Sequence, residues 1–240
     1  MEPLSSPALV RTVPAVPPAL PEPKTQISRV LSTRRLSDTG YELSLERHDL
    51  PFHPGMLVTV HGEEVTEDRE YSIASGTGED RLMLLYRHVT GGRLTARLVD
   101  LQPGDAVRLT GAHGQFTLRD PERPVVFVAT GTGIAPCLSY FRTHPDLDLT
   151  VLHGVRTGKE LFYRTELAAT RYYPCISSGS TEAASTRVTA RLRDLPVNAH
   201  ADYYLCGAYE MIYDVRKILT HQGVDESRIH TEAYYYKAGS

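Results

Sequence analysis

The stretch VVFVATGTGIAP, residues 125–136, joins a continuous apolar run to a glycine turn and the beginning of a helical pattern. A short apolar run bounded by turn residues is typical of a strand that is buried on both faces of a parallel sheet. Gly131, Thr132 and Gly133 lie on the turn after this strand, where glycines and a helix N-terminus favour close approach to a pyrophosphate. The stretch therefore predicts a dinucleotide-binding turn. Pro136 takes the place of the third glycine in the usual fingerprint, so a tight turn without a ligand is the alternative.

Strand-like and helix-like segments alternate from residue 123 to the end of the chain. Apolar runs predict strands at 124–130, 147–154, 172–178, 202–207 and 228–236. Helical spacing of apolar residues predicts helices at 135–144, 159–170, 189–195 and 209–223. Alternation of this kind indicates a parallel, doubly wound sheet. We therefore assign residues 121–240 to an α/β domain.

The preceding part of the chain, residues 25–120, has a different rhythm. It contains six short strand-like segments separated by turn formers: 27–33, 41–46, 56–62, 69–75, 81–88 and 105–111. One helical segment, 93–101, interrupts them directly after Gly91 and Gly92. Many short strands with turn signals between them predict a small antiparallel barrel.

Residues 1–24 contain seven of the 16 prolines of the chain and no apolar core of a signal peptide. Such a composition favours extended polyproline conformation and predicts a mobile tail, with a docking arm as the alternative.

Composition excludes several functional classes. The 240 residues are 41% hydrophobic and 23% charged, with a net charge of −3. This balance argues against a nucleic-acid partner, and no apolar run is long enough for membrane insertion. The three cysteines form no CxxC motif, so we expect no metal site and no iron–sulfur cluster in the chain. Unpaired thiols fit a reducing compartment, and we expect a cytoplasmic location.

The segment REYSIAS, residues 69–75, places three chemically distinct side chains close together. Arg69 and Tyr71 share a face of the predicted strand because side chains alternate along a strand. A guanidinium suits a phosphate, an aromatic ring suits a flat ligand, and the Ser72 hydroxyl suits the edge of such a ligand. A surface strand with one exposed Arg and a half-buried Tyr is the alternative.

The stretch GGRLTARL, residues 91–98, adds a second phosphate cradle, with flexible backbone before a helix start that carries Thr95.

Five motifs in one order resemble the ferredoxin–NADP reductase-like flavoprotein family. They are RxYS at 69–72, GGRLT at 91–95, GTGIAP at 131–136, CGAYEM at 206–211 and EAY at 232–234. The resemblance implies a six-stranded antiparallel FAD-binding barrel followed by a Rossmann-like doubly wound domain that binds NAD(P). It also implies cofactor contacts from Gly91, Gly92, Leu94, Thr95, Pro136, Gly207 and Met211, in addition to the residues introduced above.

The resemblance implies a catalytic set of Ser72, Cys206, Glu232 and Tyr234. Ser72 is expected near the reactive nitrogen of the flavin and Cys206 next to the nicotinamide, although buried packing is the alternative for a cysteine. Tyr234 is expected to cover the flavin, with Tyr235 and Tyr236 as rivals. Glu232 is expected either to assist proton balance or to solvate the end of the chain.

The choice between NADH and NADPH stays open at this point. Members that prefer NADPH often carry Ser-Arg after the third strand of the α/β domain and Gly-Arg later, whereas this chain has Ser177-Ser178 and Thr186-Arg187. The second strand ends in HGVR, without an acidic residue for a free ribose hydroxyl, so Arg156 and Arg187 are candidates for a 2′-phosphate. Solvated surface charge is the alternative for both arginines.

These features together predict an FAD-dependent reductase that exchanges electrons between NAD(P)H and a one-electron carrier protein. Ferredoxin, flavodoxin or an oxygenase component would serve as that carrier, in either direction of electron flow. The alternatives are a reductase component of an oxygenase, a free flavin reductase, and a flavin-bearing subunit that does not turn over nicotinamide.

Overall fold

The computed structural model describes residues 19–178 and 186–234. Most of the predicted N-terminal tail therefore lies outside the described residues, as do Tyr235 and Tyr236.

The first sheet has six antiparallel strands, as the sequence predicts. The strands are β1 Lys24–Arg35, β2 Gly40–Glu46, β3 Leu57–Val60, β4 Arg69–Ser72, β5 Arg81–Arg87 and β6 Ala106–His113. They lie in the order β4-β3-β6-β1-β2-β5. An antiparallel bridge between Ile73 and Leu84, together with the bond from Ala74 N–H to Met83 O of 2.8 Å, draws the two edges into a nearly closed barrel. Closure of this kind removes most of the exposed strand edge.

Strand β5 of the barrel buries residues on both faces, and this explains its apolar character. On β5, Leu82, Leu84 and Tyr86 belong to the core of the barrel, which also includes residues of helix α1, Arg93–Asp100. The alternate residues Met83 and Leu85 belong to a second core that the barrel shares with the α/β domain. The two-residue period of a strand therefore serves two cores at once.

The second sheet has five parallel strands, also as predicted. They are β7 Val125–Thr130, β8 Leu149–Val155, β9 Arg171–Ile176, β10 Asp202–Ala208 and β11 Ile229–Tyr234. Helices α2 Ala135–Thr143, α3 Arg164–Leu167, α4 Val188–Asp194 and α5 Tyr209–His221 connect them. The order β11-β10-β7-β8-β9 reverses direction at β7 and β10. In open parallel sheets, ligands bind in the crevice at the carboxyl ends of such a pair.

The helix predicted over residues 159–170 is wrong. The structure has a 3-10 turn at Gly158–Glu160 and the single α-helical turn of α3. Tyr163 interrupts the segment with a left-handed φ of 57°, and its hydroxyl donates a hydrogen bond to Glu42 in the barrel. Contacts with a distant strand therefore override the local helical pattern.

Polar contacts join the barrel to helix α2 across the shared core. Ser139 Oγ donates to Ser75 O over 2.8 Å, and Tyr140 OH donates to Phe116 O over 2.5 Å. The predicted domain boundary at residues 120/121 lies in the segment between β6 and β7, and we retain it as a proposal.

Candidate active site at the junction of the two domains

Four of the predicted site residues meet where the barrel faces the carboxyl end of the parallel sheet. Ser72 Oγ donates a hydrogen bond of 2.7 Å to Glu232 Oε1 and lies 2.8 Å from Tyr234 OH. Because the single proton of Ser72 is committed to Glu232, Tyr234 is the donor in the second bond. Cys206 Sγ lies 3.9 Å from the same Glu232 oxygen. We refer to Ser72, Cys206, Glu232 and Tyr234 as the junction cluster.

Strand pairing explains why these residues meet. Cys206 on β10 is paired with Glu232 on β11, and Ala208 is paired with Tyr234 two positions later. Ser72 ends β4 of the barrel and is 3% exposed. The cluster therefore combines one side chain from the barrel with three from the α/β domain.

Burial controls the charge of the junction cluster. Burial raises the pKa of Glu232 above its usual value, and the hydrogen bond from Ser72 opposes that shift. Burial also raises the pKa of the Cys206 thiol and of the Tyr234 hydroxyl well above their usual values, and the charge of Glu232 adds to both shifts. Cys206 and Tyr234 are therefore neutral at physiological pH.

The glycine turn after β7 lies beside the end of β10. Gly131 has a φ of 54°, and no atom lies within 4 Å of the position where a Cβ would be, so the turn is open on its outer side. Gly133 is closed, because a Cβ there would lie 2.5 Å from the Cys206 carbonyl oxygen. Gly207, with a φ of 129°, leaves no room for a Cβ against Thr130 Oγ1, which accepts a 2.9 Å bond from Ala208 N–H. The two strand ends thus approach as closely as a shared ligand crevice requires.

Two residues of this region were not predicted from the sequence. Thr130 joins the two strand ends as just described, and His153 on β8 contacts both Gly131 O and Tyr172 OH. The sequence feature that could have indicated His153 is its position near the end of an otherwise apolar strand.

Arg69 and Tyr71 lie on β4 as predicted. Arg69 is exposed, and its Nη1 donates to the carbonyl oxygens of Thr66 and Asp68. Tyr71 packs edge-on against Tyr86, with ring centroids 6.2 Å apart, and is partly exposed. Burial raises the pKa of Tyr71, so its hydroxyl stays neutral.

The Gly91–Gly92 turn lies next to the segment that precedes Arg69, because Arg93 Nε is 2.8 Å from Glu67 Oε1. Gly91 has a φ of 79° and open space around it. The Thr95 hydroxyl is directed into the turn, where it donates to Gly92 O and accepts from Val89 N–H. Thr95 therefore stabilises the turn from within, while the turn is open beside Gly91.

The remaining predicted residues are placed as follows. Leu94 is in the barrel core, Met211 is in the core between α5 and the sheet, and Pro136 is buried in the first turn of α2. Arg156 follows β8 and is exposed, as is Arg187 directly before α4. The segments that carry them pack together, because a Cβ on Gly154, two residues before Arg156, would lie 2.9 Å from Val188, which directly follows Arg187.

The two glycine turns fit phosphate-bearing ligands. Each has a residue of positive φ beside open space and leads into a helix: Gly92 caps α1, and Gly131 begins a short 3-10 helix, Gly131–Ile134, that continues into α2. The barrel turn contacts the segment that leads to Arg69 and the partly exposed Tyr71, and the α/β turn lies at the switch point of the sheet. The junction cluster is on the side of the sheet where ligands in the two turns would meet.

Among residues 19–178 and 186–234, no group of three or more His, Cys, Asp or Glu side chains is arranged to hold a metal ion. The described helices are too short or too polar to span a membrane. Cys137, Cys175 and Cys206 are buried and free.

Two protein-family models match the chain. The model described as "Oxidoreductase FAD-binding domain" matches residues 23–118, and "Oxidoreductase NAD-binding domain" matches residues 127–217. The first match covers the barrel and the second covers the turn after β7, the crevice and most of α5.

Several curated proteins are similar over most of the chain. Ferredoxin–NADP reductase B of Sorangium cellulosum is 34% identical over 238 residues, and the match covers 86% of this chain and 96% of that protein. The toluate 1,2-dioxygenase electron transfer component of Pseudomonas putida is 28% identical, with 85% and 66% covered. The reductase component of propane 2-monooxygenase from Mycolicibacterium smegmatis is 30% identical, with 70% and 55% covered. The chain thus spans less than two thirds of the last protein's length.

Solved structures share the fold. Cytochrome P450 reductase GcoB of Amycolatopsis is 27% identical with a TM-score of 0.79, covering 88% of this chain and 70% of that one. A ferredoxin NADP+ reductase from Neisseria gonorrhoeae, solved with bound FAD and NADP, has a TM-score of 0.78 at 20% identity, covering 88% and 99%.

Proposed function

Because the chain belongs to the ferredoxin–NADP reductase-like family of FAD- and NAD(P)-binding flavoprotein reductases, we propose that it passes electrons between NAD(P)H and a one-electron carrier protein such as ferredoxin or flavodoxin. The observation that carries this proposal is the junction cluster, in which Ser72 of the barrel bonds to Glu232 and Tyr234 of the α/β sheet. A bond between the two domains at this point suits a reaction between a ligand of one domain and a ligand of the other.

The two glycine turns indicate which cofactor each domain binds. When bound, FAD would supply the chemistry of accepting a hydride from NAD(P)H and releasing its two electrons singly, and this chemistry belongs to the cofactors. In our proposal Arg69 and the Gly91–Gly92 turn hold the FAD phosphates, and Tyr71 packs against the flavin ring. The open turn at Gly131 holds the pyrophosphate of the nicotinamide coenzyme.

In the proposed mechanism, the junction cluster orients and protects the reacting groups. Ser72 directs its hydroxyl by donating to Glu232, and Tyr234 is held by donating to Ser72. Cys206 supplies a small neutral side chain where a larger one would hold two rings apart. The buried Ser72 and Cys206 side chains keep water from their side of the cluster, which protects hydride transfer.

Two candidate functions differ in the protein that exchanges electrons with the flavin. The similarity to ferredoxin–NADP reductase B over nearly its full length supports a free carrier protein. The similarity to oxygenase reductase components supports an oxygenase component as the second candidate. We propose a cytoplasmic location, which the three free cysteines support.

Anaerobic single-turnover mixing tests the proposal. The purified protein with its FAD is mixed with NADH or NADPH while flavin absorbance is followed, and candidate carriers are then added one at a time. We expect bleaching by at least one coenzyme and rapid recovery with ferredoxin or flavodoxin. Recovery with an oxygenase component alone favours the second candidate. Retained FAD that neither coenzyme bleaches contradicts both and indicates a flavin-bearing subunit without turnover.

Replacing Arg69 with alanine is expected to weaken FAD binding by roughly tenfold, because a charge-assisted phosphate contact is lost. Tyr71→Phe keeps the aromatic ring and is expected to change FAD binding less. Equilibrium dialysis of both variants measures the difference. Full FAD retention by Arg69→Ala on dilution contradicts the assigned role.

The exposed arginines at the ends of β8 and before α4 are the expected determinants of coenzyme choice. The double variant Arg156→Ala, Arg187→Ala is expected to cost NADPH roughly 2 kcal/mol of binding free energy while NADH changes little, because two contacts to the 2′-phosphate are lost. Titration calorimetry with NADP+ and NAD+ compares the two. An equal loss for both coenzymes shows that the arginines support the shared pyrophosphate or the fold.

A further inference from the structure

His153 is a fully buried polar side chain that has no role in the mechanism proposed above. It lies on β8, between Ala129 of β7 and Pro174 of β9, and is 0% exposed. Its Nε2 is 3.0 Å from Gly131 O and its Nδ1 is 3.0 Å from Tyr172 OH. One imidazole ring therefore joins the glycine turn of β7 to strand β9.

The two partners determine which nitrogen carries the proton. A carbonyl oxygen only accepts, so Nε2 is the donor to Gly131. Nδ1 is then free to accept the hydrogen bond that the Tyr172 hydroxyl donates. This pattern uses every polar atom of the neutral ring, and burial agrees with it by holding the pKa of His153 down to about 4.

The bond to Gly131 helps to fix the direction of the next amide. The Gly131–Thr132 peptide is trans, and in a planar trans peptide the carbonyl and the following N–H point in opposite directions. Since the Gly131 carbonyl points to His153 in the protein interior, the Thr132 N–H points away from it. No atom lies within 4 Å of the Cβ position of Gly131, so the turn is open beside that position.

We propose that His153 is a positioning residue for the nicotinamide coenzyme, and that it holds the Gly131 carbonyl so that the Thr132 N–H faces the pyrophosphate. Tyr172 supports it by fixing the tautomer of the ring. The inference rests on the proposed assignment of the Gly131 turn to the coenzyme pyrophosphate. Gly131 is the first residue of a short 3-10 helix, Gly131–Ile134, and the bond from His153 adds to the helical geometry in fixing this peptide plane at a residue where glycine otherwise accepts either direction at little cost.

A set of buried-site variants tests this role by binding rather than by turnover. His153→Leu is expected to weaken NAD+ and NADP+ binding about tenfold each, because both carry the pyrophosphate, and to leave FAD content unchanged. His153→Gln has an amide donor near the position of Nε2 and is expected to recover most of the affinity. AMP, which lacks the diphosphate bridge, is expected to bind all variants about equally. Titration calorimetry measures each.

Val151→Ala is the matched control, because Val151 is buried on the same strand without contacting Gly131 as a donor. An unchanged affinity in His153→Leu overturns the proposal, as does an equal loss in His153→Gln or in Val151→Ala.

If His153→Leu does not fold, Tyr172→Phe is used for the test instead. We then expect a two- to fivefold loss of coenzyme affinity and a mixture of imidazole tautomers in the nitrogen NMR spectrum, and wild-type affinity with an unchanged tautomer overturns the proposal.

Gly131→Asp separates this inference from the site assignment on which it rests. Aspartate tolerates the left-handed backbone at this position and places a negative charge beside the pyrophosphate. Normal coenzyme binding by Gly131→Asp shows that the turn does not hold the pyrophosphate, and both proposals fail. Loss of binding in Gly131→Asp together with normal binding in His153→Leu overturns the role of His153 alone.

Discussion

Arg142→Met is expected to lower the free energy of unfolding by about 3 kcal/mol, because it breaks an ion pair that is partly buried and leaves a buried carbonyl without its donor. The Arg142 side chain is 12% exposed and forms two bonds to Glu166, of 2.7 and 2.8 Å. Its third nitrogen donates to Ala74 O of the barrel over 2.9 Å, and the guanidinium stacks over the Tyr163 ring at 5.0 Å. Methionine keeps most of the apolar stem but leaves Glu166 and a buried carbonyl without their donor.

Arg171→Met is the matched control, because Arg171 is also paired with a carboxylate, that of Asp148. Both of those side chains are more than half exposed, so we expect a loss of at most about 1 kcal/mol. Urea unfolding followed by circular dichroism and by flavin fluorescence measures both variants. Since Arg142 bonds to the barrel from a helix of the α/β domain, both signals should shift in Arg142→Met. Similar losses in the two variants would falsify a special role for Arg142.

The elements predicted correctly are those whose pattern reflects local geometry. The six barrel strands and five parallel strands have apolar residues at strand spacing, and glycine or proline separates them. The segment 159–170 has an equally good helical pattern, but Tyr163 reaches across to Glu42, 121 residues earlier in the chain. No local pattern contains that contact, so the prediction fails there.

The same distinction applies to the site. Ser72, Cys206, Glu232 and Tyr234 belong to recognisable motifs, and the fold brings them within hydrogen-bonding or van der Waals distance of one another. His153 and Arg142 belong to no motif. Their partners are set by strand order and by the packing of α2 on the barrel, which become visible only in three dimensions.

Ser72→Ala is expected to slow flavin reduction by NAD(P)H about a hundredfold, because reaction rates of this kind are sensitive to displacements of about 1 Å. The Ser72 hydroxyl is the common partner of Glu232 and Tyr234, so its removal releases both side chains from their present positions. Ser44→Ala is the matched control, since Ser44 is 1% exposed and its hydroxyl also donates to a glutamate, Glu42, over 3.3 Å. Single-turnover mixing at saturating coenzyme measures both, with FAD content checked first.

Glu232→Gln tests the charge of the cluster separately from its shape. Burial raises the pKa of Glu232, so the folded protein retains a proton that the unfolded chain releases between pH 4.5 and the raised pKa. The wild-type free energy of unfolding therefore falls as pH rises through this window, and Glu232→Gln, which has no such proton, lacks that fall. The variant should gain stability relative to the wild type as pH rises. If the free energy of unfolding depends on pH in the same way in both proteins, Glu232 is solvated. If the flavin of Ser72→Ala is reduced at the wild-type rate, the junction cluster only joins the two domains.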